Sequence, residues 1–195
     1  MVVLRPFALL PQAKAKRANA AMAELGKYSG NELKRLPVST QKISLSNMDC
    51  LTFDLAVEEA TRLGYATSIN TDSNKVLLSR DSCASGGRGR SLQASVAVSM
   101  IVPNVSGDEL ERIKAISATP SVLVKNIKKA AQFNSDLANS RAILDIGVKS
   151  VEAPAETNAA VARSQIYDVT DQAGNDVNTA AAARGSELQL AFCRR

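Results

Sequence analysis

The sequence predicts an α+β fold: a mainly antiparallel sheet covered by helices on one face, with an N-terminal basic helical arm and a C-terminal extension. Period-two alternation marks strands at residues 38–46, 65–70, 75–80 and 91–102. Amphipathic patterns mark helices near 52–63, 107–118 and 120–146. The ends are rich in Ala and read as appendages, which divides the chain into a basic arm (1–37), a core (38–148) and a linker with a terminal hairpin (149–195).

In the arm, Pro11 precedes an Ala-rich stretch that closes at Gly26, the punctuation expected of a helix. Ala18, Met22 and Leu25 form its narrow apolar stripe, with Lys14, Lys16 and Arg17 on the other side. Ile43 and Leu45 share one face of the first strand. The next segment alternates like a strand at Leu51, Phe53, Leu55 and Val57. Helix-forming residues over 54–63 and Gly64 at the C′ position favour a helix instead, with Phe53, Val57, Ala60 and Leu63 toward the core. Residues 65–70 and 75–80 flank Thr71-Asp72-Ser73-Asn74 and read as a hairpin.

The long strand 91–102 alternates through Leu92, Ala94, Val96, Val98 and Met100. Ser106 and Glu109 have capping-box spacing before the helix that carries Leu110, Ile113 and Ile116. Pro120 opens the next helix, striped by Leu123, Ile127, Ala130 and Leu137. Asn134-Ser135 breaks it and recaps a third helix that ends at Gly147. Beyond Lys149 an Ala-rich linker is expected, with a short helix near 159–163. A second hairpin turns at residues 171–175, and a last strand falls at 188–192.

Composition narrows the function classes. The chain has no His, no Trp and 4% aromatic residues. It therefore lacks the side chain most used for proton transfer near neutral pH and any Ser-His-Asp or Cys-His pair. It is also poor in the rings that line ligand pockets. The three cysteines, Cys50, Cys83 and Cys193, are odd in number and widely spaced, so a disulfide framework or zinc site is not expected. Three reduced thiols are. Net charge is +5, and residues 1–50 hold eight basic and three acidic side chains. Such a basic arm suits an anionic partner.

No apolar run reaches the roughly 20 residues needed to span a bilayer, and Met1–Pro6 is too short and broken for a secretory segment. A cytoplasmic or virion location is expected, with no membrane partner.

The loop Ser85-Gly86-Gly87-Arg88-Gly89-Arg90-Ser91 is the most suggestive motif. Glycines let a backbone approach phosphate and arginines pair with it, but neither the P-loop nor the dinucleotide spacing is present. Lys14, Lys16, Arg17, Arg88 and Arg90 are the candidate nucleic-acid contacts. Arg112, Lys114, Lys125, Lys128 and Lys129 read as a solvated helix face. Asp168, Asp171, Asn175 and Asp176 lack EF-hand spacing and read as a hairpin tip. Glu58 and Glu59 diverge by about 100° on a helix and cannot pair as acid and base. No catalytic residue, metal ligand or cofactor is expected.

The order of a long strand, an Asn/Ser-Gly-Asp cap and two helices over residues 91–133 faintly resembles the end of the coat proteins of small RNA phages. The resemblance covers about a fifth of the chain. The helix near 52–63 and the long C-terminal segment depart from it, and no family follows from it. The expected function is a non-enzymatic structural or assembly subunit of a larger complex, such as a virion, with protein subunits as partners. Its basic arm would contact nucleic acid or an acidic surface. The alternative is a small, sequence-nonspecific nucleic-acid-binding protein.

Overall fold

In the computed structural model the described residues are 10–84 except Ser29 and Lys34, then 94–159, and beyond these 162, 164–169, 171, 172 and 175. The element order is α1 (Leu10–Leu25), α2 (Gly30–Leu33), β1 (Pro37–Ser46), α3 (Leu55–Ser68), a 3-10 turn (Ser73–Lys75), β2 (Leu77–Ala84) and β3 (Ser95–Pro103). There follow α4 (Gly107–Ala118), α5 (Pro120–Ala131), α6 (Ser135–Ala138), α7 (Arg141–Leu144), β4 (Gly147–Val151) and β5 (Ala155–Asn158). The fold is α+β with an antiparallel sheet, as the alternation predicts.

β1 lies at the centre of the sheet. It pairs with β3 along its whole length, and β2 lies beyond β3. On its other side β1 pairs with β4 through Ile43–Ser46 and with β5 through Pro37–Thr40. Pro154 stands between these two short strands, where a residue without an N–H interrupts a ladder least harmfully. Residues 147–158, expected as helix end and linker, are therefore sheet edge.

The two faces of the sheet carry different cores. Register puts Gln41, Ile43 and Leu45 beside Met100, Val98 and Val96 on one face. There they pack with Phe53, Val57, Tyr65 and Ile69 from and around α3, Ile113 and Ile116 from α4, and Leu123 and Ile127 from α5. The opposite face supplies Val38, Leu77 and Ile101, which pack with Ala18 and Leu25 of α1 and with Ala159, Ala162, Ile166 and Val169. The expected appendages thus lie against the sheet. Gln165 accepts a hydrogen bond from Thr40 Oγ1 at 2.9 Å. Gln172 exchanges two bonds of 3.0 Å with the N–H and C=O of Arg80 on edge strand β2.

Two hairpins expected from turn-like residues are replaced by helices. α3 runs through Gly64 to Ser68, so residues 65–68 are not a strand. Gly64 serves packing instead of termination, since a Cβ there would lie 2.6 Å from Ile127 Cα on α5. Asn70, at φ 51°, follows the helix in a left-handed conformation that Asn tolerates. Residues 164–169, 171, 172 and 175 are helical, not a hairpin. The spacing of Ile166 and Val169, in line with Ala162 and Ala159, lets one helical face meet the sheet. The third helix is broken into α6 and α7, and Gly147 begins β4 rather than ending a helix. The expected strand at 188–192 lies outside the described residues.

The expectation of three separate reduced thiols is also corrected. Cys50, between β1 and α3, and Cys83, on β2, form a disulfide pair with Cα atoms 5.3 Å apart and a sequence separation of 33. Cysteines this far apart in sequence give no spacing signal; the sheet brings them together.

Gln41 is a polar residue on the face of the first core, with no exposed surface. Its amide nitrogen donates to Ile113 O at 3.2 Å, Ser117 Oγ at 3.0 Å and Glu152 O at 3.1 Å. Its carbonyl accepts from Tyr65 OH at 2.9 Å. β1, α3, α4 and the β4–β5 link therefore meet on one amide. Gln41→Leu should cost about 2–4 kcal/mol in urea unfolding, because several buried partners lose their bonds together. Gly64→Ala should cost about 1–3 kcal/mol by forcing α3 from α5.

Candidate functional site

α1 turns Lys14 and Arg17, one helical turn apart, toward α3. Lys14 Nζ lies 2.7 Å from Glu58 Oε1 and Arg17 Nη2 lies 2.7 Å from Glu59 Oε2. Glu58 also faces Arg80 Nε at 3.1 Å, and Glu59 faces Arg62 Nη2 at 2.7 Å. Arg62 continues inward to the carbonyl oxygens of Ser73 and Val76. Six charges thus form two neighbouring ion-pair triads, one on each glutamate, that join α1, α3 and β2. Adjacent glutamates on a helix diverge, and here each takes its own pair of cations. Lys14 and Glu58 side chains are both only 6% exposed.

The charge states follow from this packing. Burial alone would raise Glu59, but Arg62 and Arg17 outweigh it and hold the carboxyl below its ordinary value. Burial, reinforced by the Arg62 cation, lowers Arg17. Burial also pushes the Tyr65 phenol upward.

A second acidic hub sits at the start of α4. Glu109 completes the capping box with Ser106 as expected. It also accepts from Lys75 Nζ at 2.7 Å and from Thr71 Oγ1. Burial would raise its carboxyl, but these bonds outweigh burial and bring it to about 2.

The predicted nucleic-acid contacts are thereby separated. Lys14 and Arg17 come together, but against glutamates and partly out of solvent. Lys16 is exposed and lines a groove with Ala13, Arg17, Ala20 and Asn74. Arg88 and Arg90 lie outside the described residues. Among the described residues no three His, Cys, Asp or Glu side chains gather as a metal site, and no helix is long and apolar enough to cross a membrane.

A different surface has the makings of a contact site. Ala56, Ala60 and Leu63 of α3, Ala130 of α5 and Leu137 of α6 line a mainly apolar groove of about 160 Å³, to which Glu59, Phe133 and Asn134 also contribute. Phe133 stands at its rim, 88% exposed. No sequence motif marks it. The only local signal is an aromatic just beyond the stripe of α5. No protein family, no curated protein and no solved structure matches the chain.

Lys14→Met should lower stability by about 3 kcal/mol, because it leaves a buried carboxylate short of one partner; denaturant midpoints measure it. Glu109 has a folded pKa below its unfolded one. Its contribution is therefore complete above about pH 4.5 and lost as pH falls toward 2. Melting temperatures between pH 6 and pH 2.5 should fall less steeply in Glu109→Gln than in the wild type.

Proposed function

We propose that this chain is a non-enzymatic structural or assembly subunit of a larger complex of the capsid type, and that its first partner is a second copy of itself. The observation that carries the reading is Phe133 beside the α3–α5 groove. A large apolar side chain next to an apolar recess marks an interaction surface. A cavity of roughly 150 Å³ holds a benzene-sized group, so this groove suits one aromatic ring. The ring displayed at its rim is the chain's own. A two-fold arrangement would seat Phe133 of each copy in the groove of the other.

A second reading, sequence-nonspecific nucleic-acid binding, is favoured by the net charge of +5. With Lys14 and Arg17 engaged on glutamates, it falls chiefly to Lys16, Arg88 and Arg90.

Light scattering on a sizing column should give a mass above the monomer for the wild type. Phe133→Asp should give the monomer with the circular dichroism of the fold retained and a melting temperature that no longer depends on protein concentration. A wild type that stays monomeric at high concentration contradicts the assembly reading. In that case, binding to random-sequence nucleic acid that weakens steeply with salt and is reduced by Arg88→Ala with Arg90→Ala would support the second.

A further inference from the structure

We infer that Cys50–Cys83 is a reversible thiol–disulfide exchange site, which locks the β1–α3 loop across the open end of the sheet when oxidised and releases it when reduced. The loop leaves β1 at Asn47, whose φ is 61°. It passes the start of β3, where Met48 N–H donates to Ala94 O at 3.3 Å, and reaches β2 at Cys83. It seats Met48 and Phe53 in the core below. Asp49 stiffens the near side by accepting from the N–H groups of Leu51 and Thr52. The far side is tied to β2 by the disulfide.

The receiving end of β2 is the weak part of its ladder. A register shift between Arg80 and Ser82 leaves Ser82↔Ala97, Cys83↔Val96 and Ala84↔Ser95 as a short terminal run beyond the irregularity. Among the described residues β2 is the edge strand, and this run pairs there with β3 alone. Gln172 supports the strand at Ser79 and Arg80, before the shift. Among the described residues the disulfide therefore clamps a segment otherwise held only by this short run of pairing, while the residues of both cores lie elsewhere.

Both cysteines are solvent-exposed, so a small thiol of the glutathione class can reach the bond. Its thiolate attacks one sulfur, the S–S bond breaks, and the other protein sulfur leaves as a thiolate and takes a proton. A second small thiol attacks the mixed disulfide, releasing the other protein thiol and one small-molecule disulfide. Two electrons pass to the protein pair; two small thiols are oxidised.

The test uses the full chain with Cys193→Ser, so that this pair alone reports. In buffer containing oxidised glutathione, the intact mass should be 2 Da below that of the dithiol form, and the native protein should take up no alkylating reagent. Excess reduced glutathione should open the pair without loss of the circular dichroism of the fold. Amide exchange should then rise at least about tenfold in residues 47–54 and 82–84, with the β1–β3 ladder unchanged. Cys50→Ser should show the fast exchange under either condition. Free alkylation of both thiols in oxidising buffer would overturn the proposal. So would a disulfide that yields only after denaturation, or exchange in 47–54 that ignores reduction.

Discussion

The side-chain amide of Gln41 stands where four pieces of the chain converge, and the arrangement of the first core depends on satisfying it. A buried amide without partners costs several kcal/mol. Here every polar atom of the side chain is engaged, by Tyr65 from α3, Ile113 and Ser117 from α4, and Glu152 from the link between β4 and β5. Leucines and isoleucines would pack in many relative positions with similar energy. An amide that must meet particular donors and acceptors at about 3 Å removes most of them. The helices α3 and α4 are thereby tied to the central strand, and α5 comes up against α3 at Gly64, where a Cβ would lie 2.6 Å from Ile127 Cα.

With that frame in place, the charges sort into structural and superficial ones. Lys14 and Arg17 read as ligands for phosphate in isolation, but they close a cluster with Glu58, Glu59, Arg62 and Arg80 and tie α1 to the body of the fold. A helix that looks like a free basic arm becomes part of the second core. The proposed contact with other molecules falls instead on a different surface, the groove between α3 and α5 with Phe133.

The sheet and the helices of the first core were legible because their periodicities are strong. β1, β3, α4 and α5 have the pattern, caps and Pro positions that local rules recognise. Residues 65–68, 166–169, 171 and 172 look like strand and turn in the sequence because their neighbours are turn formers, while tertiary packing, at Gly64 and Gln172, makes them helical. β4 and β5 were hidden because strands of four or five residues flanking a proline carry almost no alternation. Gln41 did leave a trace, a polar residue on the face of Ile43 and Leu45. The ion pairs between α1 and α3 left none, because their partners are far apart in sequence, Arg17 and Glu59 by 42 residues.

A double-mutant cycle on Gln41 and Tyr65 tests the organising role of the amide most directly. Gln41→Leu, Tyr65→Phe and the double variant would be unfolded in urea under one condition. An interaction energy of about 1 kcal/mol or more between the two sites is predicted, since each deletion strands the partner of the other. Costs that simply add would contradict the account.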